Sequence, residues 1–321
     1  MKLRVFWVST LLLAALLQPA LAGDDPHAWL QRMATAMSQM SYQGTFIYIT
    51  DQRMETMRIT HVMDENGSRE RLSSVSGPRR EVLRDQSGVK WIAGDDAAVM
   101  ADPVVNWPMF LDQSLRGMNA QDANYKLKLR DRKRIAERIA QRLDIVATDS
   151  YRYGYSLWLE AGSGLLLQWQ LNDQDGEVLA KLVFTELRMG SEVDENELKY
   201  IPSNRTQVTS GLPVAAAKSI NSSGRWQAQW LPPGFRMTAN RTPGEGPENH
   251  FQHQVYSDGL ASVSLYVEPL DQVSGAGLGL RELGTSHIFS READKVLITV
   301  VGDVPALTVE KIALSVSQHQ P

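Results

Sequence analysis

No cysteine occurs anywhere in the 321 residues. That absence excludes disulfides, thiol nucleophiles and thiolate metal sites, so the fold must rest on burial alone. Recognisable catalytic motifs are missing as well: there is no G-x-S-x-G elbow, no H-E-x-x-H pair and no phosphate-binding loop. Histidine is scarce, with 6 copies. His250 and His253 have an i, i+3 spacing, but no third ligand stands near that loop-to-strand junction, so a surface or hydrogen-bonded role is expected. Gly275, Gly277 and Gly279 do not match the dinucleotide fingerprint and read as a loop. Asp95 and Asp96 sit in a turn with no acid placed opposite them. The expectation is no catalytic residue, no metal and no cofactor. Charge of one sign is not in large excess, with 33 basic against 37 acidic residues, so nucleic acid is not an expected partner. Beyond the first 22 residues no apolar run approaches the roughly 20 residues a spanning helix needs.

The N-terminus carries a different signal. Lys2 and Arg4 precede an apolar stretch, Val5–Leu17, broken only by Ser9 and Thr10, and Ala20-Leu21-Ala22 follows. This reads as a secretory signal peptide cleaved after Ala22, with an exported, periplasmic mature chain from Gly23. Without those residues the balance is 31 basic against 37 acidic, net −6. Basic residues still gather at Arg79-Arg80 and over Lys126–Arg142, where the simpler reading is solvated strand faces and the sharper one a site for an anionic head group.

The length suggests about two domains at roughly 150 residues each. A helix should open at Asp25-Pro26, with Trp29, Met33, Met37 and Met40 on one face and Gly44 just past its end. Short strands follow at 45–50, 54–63, 68–76, 79–84 and 89–93, separated by turn chemistry such as Asn66-Gly67, and predict an antiparallel meander. Residues 94–123 read as a loop and 125–130 as a strand. Residues 134–143 have helical spacing at Ile135, Ile139 and Leu143, yet the β-branched run after them favours strand, and strand is the expectation. Runs at 153–160, 165–171 and 177–187 close the first domain, 23–200. Residues 201–224, rich in Ser, Thr, Ala and Gly, are the expected linker. The second domain, 225–321, should hold strands at 252–256, 261–268 and 295–302 and a final helix from Pro305 with Val309, Ile312, Ala313 and Val316 on one face.

Large apolar side chains are concentrated in residues 45–170. Phe46, Tyr48, Met57, Trp91, Trp107, Met109, Phe110, Trp158 and Trp169 either fill a core or line a groove in a curved sheet that accepts an acyl chain or hydrophobic peptide. In the second domain, Trp230, Phe235, Tyr256, Asp258 and Tyr266 surround a hairpin and are the candidates for partner contact, although strand alternation requires some of them to be core.

Several stretches in the same order carry a resemblance. They are Tyr42-Gln-Gly-Thr-Phe-Ile-Tyr48, Tyr153-Gly-Tyr-Ser-Leu-Trp-Leu-Glu160, Trp230-Leu-Pro-Pro-Gly-Phe235, Ser257-Asp-Gly-Leu-Ala-Ser-Val-Ser-Leu-Tyr-Val-Glu-Pro269 and Val300-Val-Gly-Asp-Val-Pro305. On these the chain resembles the RseB/MucB family over essentially all of 23–321. The resemblance implies an N-terminal unclosed antiparallel β-barrel with a helical plug, similar to lipoprotein carriers, and a smaller α/β C-terminal domain. It implies that a turn-forming glycine of the family is replaced near Glu137. It also implies a negative regulator of the sigma-E envelope stress response. Such a regulator binds the periplasmic domain of a transmembrane anti-sigma factor, shields it from regulated proteolysis, and is released by lipopolysaccharide or misfolded outer-membrane protein segments. Self-association as a homodimer or larger assembly is implied too. The competing expectations are a lipid or lipoprotein carrier and an exported hydrolase with a dispersed site.

Overall fold

A computed structural model describes residues 25–51, 53–77, 79–93, 123–199, 207–211, 226–241, 252–272 and 277–318. The signal peptide at 1–22, Asp95, Asp96, Trp107, Met109, Phe110, His250 and Gly275 lie outside the described residues.

Helix α1 spans Pro26–Gln39 and starts where its chemistry predicts, because the Asp25 carboxylate accepts from the His27 N–H at 3.0 Å and Pro26 occupies the first turn. Its buried face is Trp29, Leu30, Met33 and Ala36. Antiparallel strands follow: β1 (Tyr42–Thr50), β2 (Met54–Asp64), β3 (Gly67–Ser74), β4 (Arg80–Asp85) and β5 (Gly88–Ala93). After 94–122 come β6 (Tyr125–Ile135), β7 (Arg138–Ala147), β8 (Gly154–Glu160), β9 (Leu166–Asn172) and β10 (Val178–Met189). With β11 (Gln207–Gly211) they build an 11-stranded sheet in the order β11-β5-β4-β3-β2-β1-β10-β9-β8-β7-β6.

Gly44 does not stop the helix. It lies inside β1, where a Cβ would sit 2.5 Å from the Glu186 carbonyl oxygen and 2.8 Å from the Phe184 ring. The glycine leaves room for the Phe184 ring against β1. Residues 134–135 and 138–143 are strand, as expected, and form the end of a β6–β7 hairpin whose two turn residues are Ala136 (φ +44°) and Glu137 (φ +64°). A two-residue turn of this hand favours Asn-Gly, so two non-glycine residues at positive φ hold it at a cost. The expected linker is shorter than its composition suggests. Gln207–Gly211 pairs with β5 and extends the first sheet. The acidic stretch before it is also docked, since the Arg71 guanidinium donates to the carbonyls of Glu197 (2.8 Å) and Lys199 (3.1 Å).

The second unit is a six-stranded antiparallel sheet, β13 (Arg236–Arg241), β14 (Gln252–Ser257), β15 (Ser262–Pro269), β18 (Val296–Gly302), β17 (Ser286–Ala293) and β16 (Gly279–Leu283) in that order. Helix α2 (Ala306–Ser315) packs on it through Thr308, Val309, Ile312 and Ala313. A short pair, β12 (Trp226–Ala228) with β19 (Val316–Gln318), ties the two ends of this unit together. Val316, expected on the helix, begins that strand. Hairpin β16–β17 has no counterpart in the sequence reading, because its strands show neither period-two apolar alternation nor a continuous apolar run.

Candidate functional site

The register of the large sheet sorts the proposed groove residues. Phe46 lies opposite Phe184 and Met57, Tyr48 opposite Leu182, Leu182 opposite Trp169, Trp169 opposite Leu157, and Leu157 opposite Leu143. These positions share one face, because side chains alternate with a period of two. Leu143 and Leu157 are wholly buried on it, and α1 contributes Trp29, Leu30 and Met33 to the same core cluster. Phe46, Met57 and Trp169 are buried within that cluster, with the Phe46 and Phe184 rings 5.4 Å apart. Tyr48 is only half-buried at its edge. Burial, then the charges of Asp303 and Glu55, push its phenol up to about 12. Trp91 occupies the register position between Val82 and Thr209.

Trp158 is buried in the same cluster but stands on the other phase of its strand. It pairs with Gln168 and Arg142 in the alternate phase of the strands, so its ring belongs to the opposite face of the sheet from Leu157. There it is covered by Lys133, whose ammonium lies 4.0 Å from the ring centroid, and by Arg142 at 5.1 Å.

The partner-contact candidates fall largely at the junction of the two units. Sequence reasoning missed the residue that organises it, Arg152, in the loop between β7 and β8. Its side chain is fully buried. It donates through Nη1 to Asp258 Oδ2, through Nε and Nη2 to both carboxylate oxygens of Asp149 (3.1 and 3.0 Å), and through Nη2 to the Pro233 carbonyl at 2.6 Å. The Tyr125 hydroxyl donates to the same Asp258 oxygen at 3.0 Å. The other oxygen, Oδ1, accepts from the Leu260 and Ala261 N–H groups at 2.9 and 2.8 Å. The guanidinium lies between aromatic rings, 5.4 Å from Tyr125 and 5.3 Å from Phe235. Burial pulls the Arg152 pKa down, but Asp149 and Asp258 outweigh it and the group is held above its ordinary value. Tyr125 and Tyr155 are pushed up, in both cases chiefly by burial. Leu260, from the second unit, is buried in the core of the first.

A second set of contacts flanks this pair. Lys311 on α2 donates to the Tyr151 hydroxyl at 2.9 Å and lies 4.3 Å over the Trp230 ring, which meets Tyr151 edge-on at 5.0 Å. The Thr308 hydroxyl donates to the Tyr151 carbonyl at 2.8 Å. Tyr153 Oη meets His287 Nδ1 at 3.2 Å.

Trp230 is therefore half-buried against the first unit, while Phe235 and Asp258 are buried at the junction. Tyr256 is buried in the second core, its hydroxyl donating to Gln254 Oε1 at 2.7 Å. Phe235, Tyr256 and Asp258 are thus the buried members of the candidate set. Two are aromatics on inward phases of their strands or turns, and the third is a carboxylate neutralised from the other unit. Tyr266 is half-buried on the other phase of β15 and stacks on His253 at 4.4 Å and 4°. No group of three or more potential metal-ligating side chains occurs among the described residues.

The architecture is that of a two-unit, mainly antiparallel β-sheet protein, with an apolar sheet face under one helix and an ionic junction between the units. Comparison with known proteins gives it a place. The family model for the MucB/RseB N-terminal domain matches residues 25–201, and that for the MucB/RseB C-terminal domain matches residues 221–317. Sigma factor AlgU regulatory protein MucB of Pseudomonas aeruginosa is 33% identical over 319 residues, covering 95% of each chain. Sigma-E factor regulatory protein RseB of Escherichia coli K12 is 27% identical over 322 residues, covering 97% of this chain and 96% of the relative. The solved complex of Pseudomonas aeruginosa MucA/MucB aligns with a TM-score of 0.72 and 30% identity over 92% of this chain and 100% of that one. MucB in complex with MucA(peri) aligns with a TM-score of 0.70 at 29% identity and the same coverage. The chain belongs to the MucB/RseB family, a family of regulatory binding proteins.

Proposed function

We propose that this protein is a periplasmic negative regulator of a sigma-E-type envelope stress response. In this reading it is exported by its N-terminal signal and cleaved after Ala22. It binds the periplasmic domain of a membrane anti-sigma factor and shields that domain from regulated proteolysis. The observation that carries the reading is likeness along both domains to MucB, which has been solved in complex with MucA. Lipopolysaccharide or an exposed outer-membrane protein segment releases it, through differential affinity for a conformer that binds the anti-sigma factor poorly. The first domain acts as an unclosed barrel plugged by α1, whose inner face around Phe46, Tyr48 and Trp169 receives the apolar part of that ligand. The junction at Arg152 and Asp258 is where a change of domain angle would be felt. The protein self-associates as a dimer or larger assembly.

The test is a titration of residues 23–321 against the periplasmic segment of the co-resident anti-sigma factor, with and without lipopolysaccharide. Tight binding weakened by lipopolysaccharide is the expected result; no binding in either condition overturns it. A second reading, a carrier of lipids or lipoproteins, draws on the same apolar inner face. It predicts stoichiometric lipid in purified protein and no affinity for the anti-sigma segment.

A further inference from the structure

The large sheet has a second face, and it gathers cations that neither core nor junction uses. Alternation along β7, β8, β9 and β10 places Arg142, Trp158, Gln168 and Lys181 on the face opposite Leu157, Trp169 and Leu182. Lys133 reaches in from β6 and is fixed twice: its ammonium lies over the Trp158 ring and donates to Gln168 Oε1 at 3.0 Å. Arg142 is fixed as well, by Asp144 Oδ1 at 2.7 Å from its Nε and by Ser156 Oγ at 3.2 Å from its Nη2. Ordinary surface lysines are not tethered in this way, because immobilising a long side chain costs entropy.

The charge is not neutralised. Asp144 is shared between Arg142 and Arg130. Lys133 and Lys181 have no ion-pair partner among the described residues. Glu160, further along this face, turns its carboxylate onto Ser163. Burial, then the charges of Lys181 and Arg142, hold the Lys133 ammonium below its ordinary pKa, so the fold keeps like charges together at a cost. A second observation is independent of charge. Gln168 is only 2% exposed, and its Nε2 donor has no partner among the described residues.

We propose that Lys133, Arg142 and Lys181, beside the Gln168 carboxamide, form a binding site for a phosphate group. The cations come from three strands and converge on one region. That suits a compact tetrahedral oxyanion better than an extended acidic peptide, whose same-face carboxylates repeat about every 7 Å. The cluster borders a cleft of about 650 Å³ that Arg142, Ser156 and Gln170 help to line. Asp144, Asp149, Asp173 and Asp175 line that cleft and Lys133 and Lys181 do not, so the anion belongs outside it, at the Lys133 side of Arg142. The site is on the opposite face from the apolar interior and does not depend on the regulator reading.

The test is calorimetric titration of residues 23–321 with inorganic phosphate at ionic strength matched by chloride. A parallel arm measures flotation with vesicles of phosphatidylglycerol or of phosphatidylcholine. Saturable phosphate binding that Lys133→Gln and Lys181→Gln each weaken at least tenfold supports a site for free phosphate. Flotation with phosphatidylglycerol alone, lost in the same variants, supports a lipid head group as the source. Far-UV circular dichroism confirms that the variants fold, and relief of repulsion should leave Lys133→Gln at least as heat-stable as the parent. Binding to neither probe overturns the proposal. So does binding that both substitutions leave unchanged, which would mean an adventitious ion only. Capture of an acidic peptide without any affinity for phosphate overturns it too and assigns the face to a protein partner.

Discussion

Arg152 and Asp258 form an ion pair across the junction of the two units, and both side chains are fully buried. They are 106 residues apart in sequence. Two charges are withdrawn from water there only because Asp149, Tyr125, the Pro233 carbonyl and two N–H groups of the β14–β15 turn complete their bonding. Asp258→Ala leaves the guanidinium with one of its two carboxylate partners and should cost about 3–5 kcal/mol. Urea unfolding measures this. The double variant Arg152→Ala with Asp258→Ala should cost less than the two single changes summed, and simple additivity would show that the pair is not coupled.

Alkali should loosen the same region. Tyr48 is pushed up to about 12, and Tyr125, Tyr153 and Tyr155 are raised as well, chiefly by burial. A group whose folded pKa lies above its unfolded value contributes stability that is complete below the unfolded pKa, roughly 10 for tyrosine. That contribution is lost as pH rises through the folded value. Stability should therefore fall as pH climbs from about 10 towards 12. Tyrosinate absorbance should show part of the tyrosines ionising only together with the loss of tertiary circular dichroism. A single smooth titration of all 9 tyrosines would contradict this.

Gly44→Ala should destabilise by about 1–3 kcal/mol, the usual cost of overpacking. The new Cβ meets backbone oxygen and a core ring at once, at 2.5 and 2.8 Å, and neither can withdraw freely. Thermal denaturation checks the size, and an unchanged midpoint would mean that β1 slides away from β10.

The β6–β7 turn offers a gain in the other direction. Glu137→Gly removes a Cβ at φ +64° and should stabilise by about 1 kcal/mol, because an L-residue there is strained. The ion pair lost with Glu137, to Arg134 at 3.6 Å, is highly exposed and contributes little. A lowered unfolding midpoint would mean that glycine's extra freedom in the unfolded chain outweighs the relief.

Strand and helix periodicity, turn dipeptides and the Asp25-Pro26 start are local properties, and they were legible from the residues alone. They placed α1, the meander of the first sheet, hairpin β14–β15 and α2, because each such pattern reports which side of one element faces water. The family was legible too, from ordered stretches such as Trp230-Leu-Pro-Pro-Gly-Phe235. Tertiary structure decided the rest. Trp158 and Trp169 look alike in sequence and both are buried, yet strand phase sends one beneath Lys133 and sets the other opposite Leu157 and Leu182. Gln207–Gly211 has linker composition and becomes a strand because β5 offers it an edge. Asp258 reads as a hairpin-turn carboxylate open to partner contact, and only the arrival of Arg152 from the other unit makes its burial possible. Local sequence sets the phase of an element. Which distant charge meets which depends on how the elements are brought together, and no short-range pattern contains that.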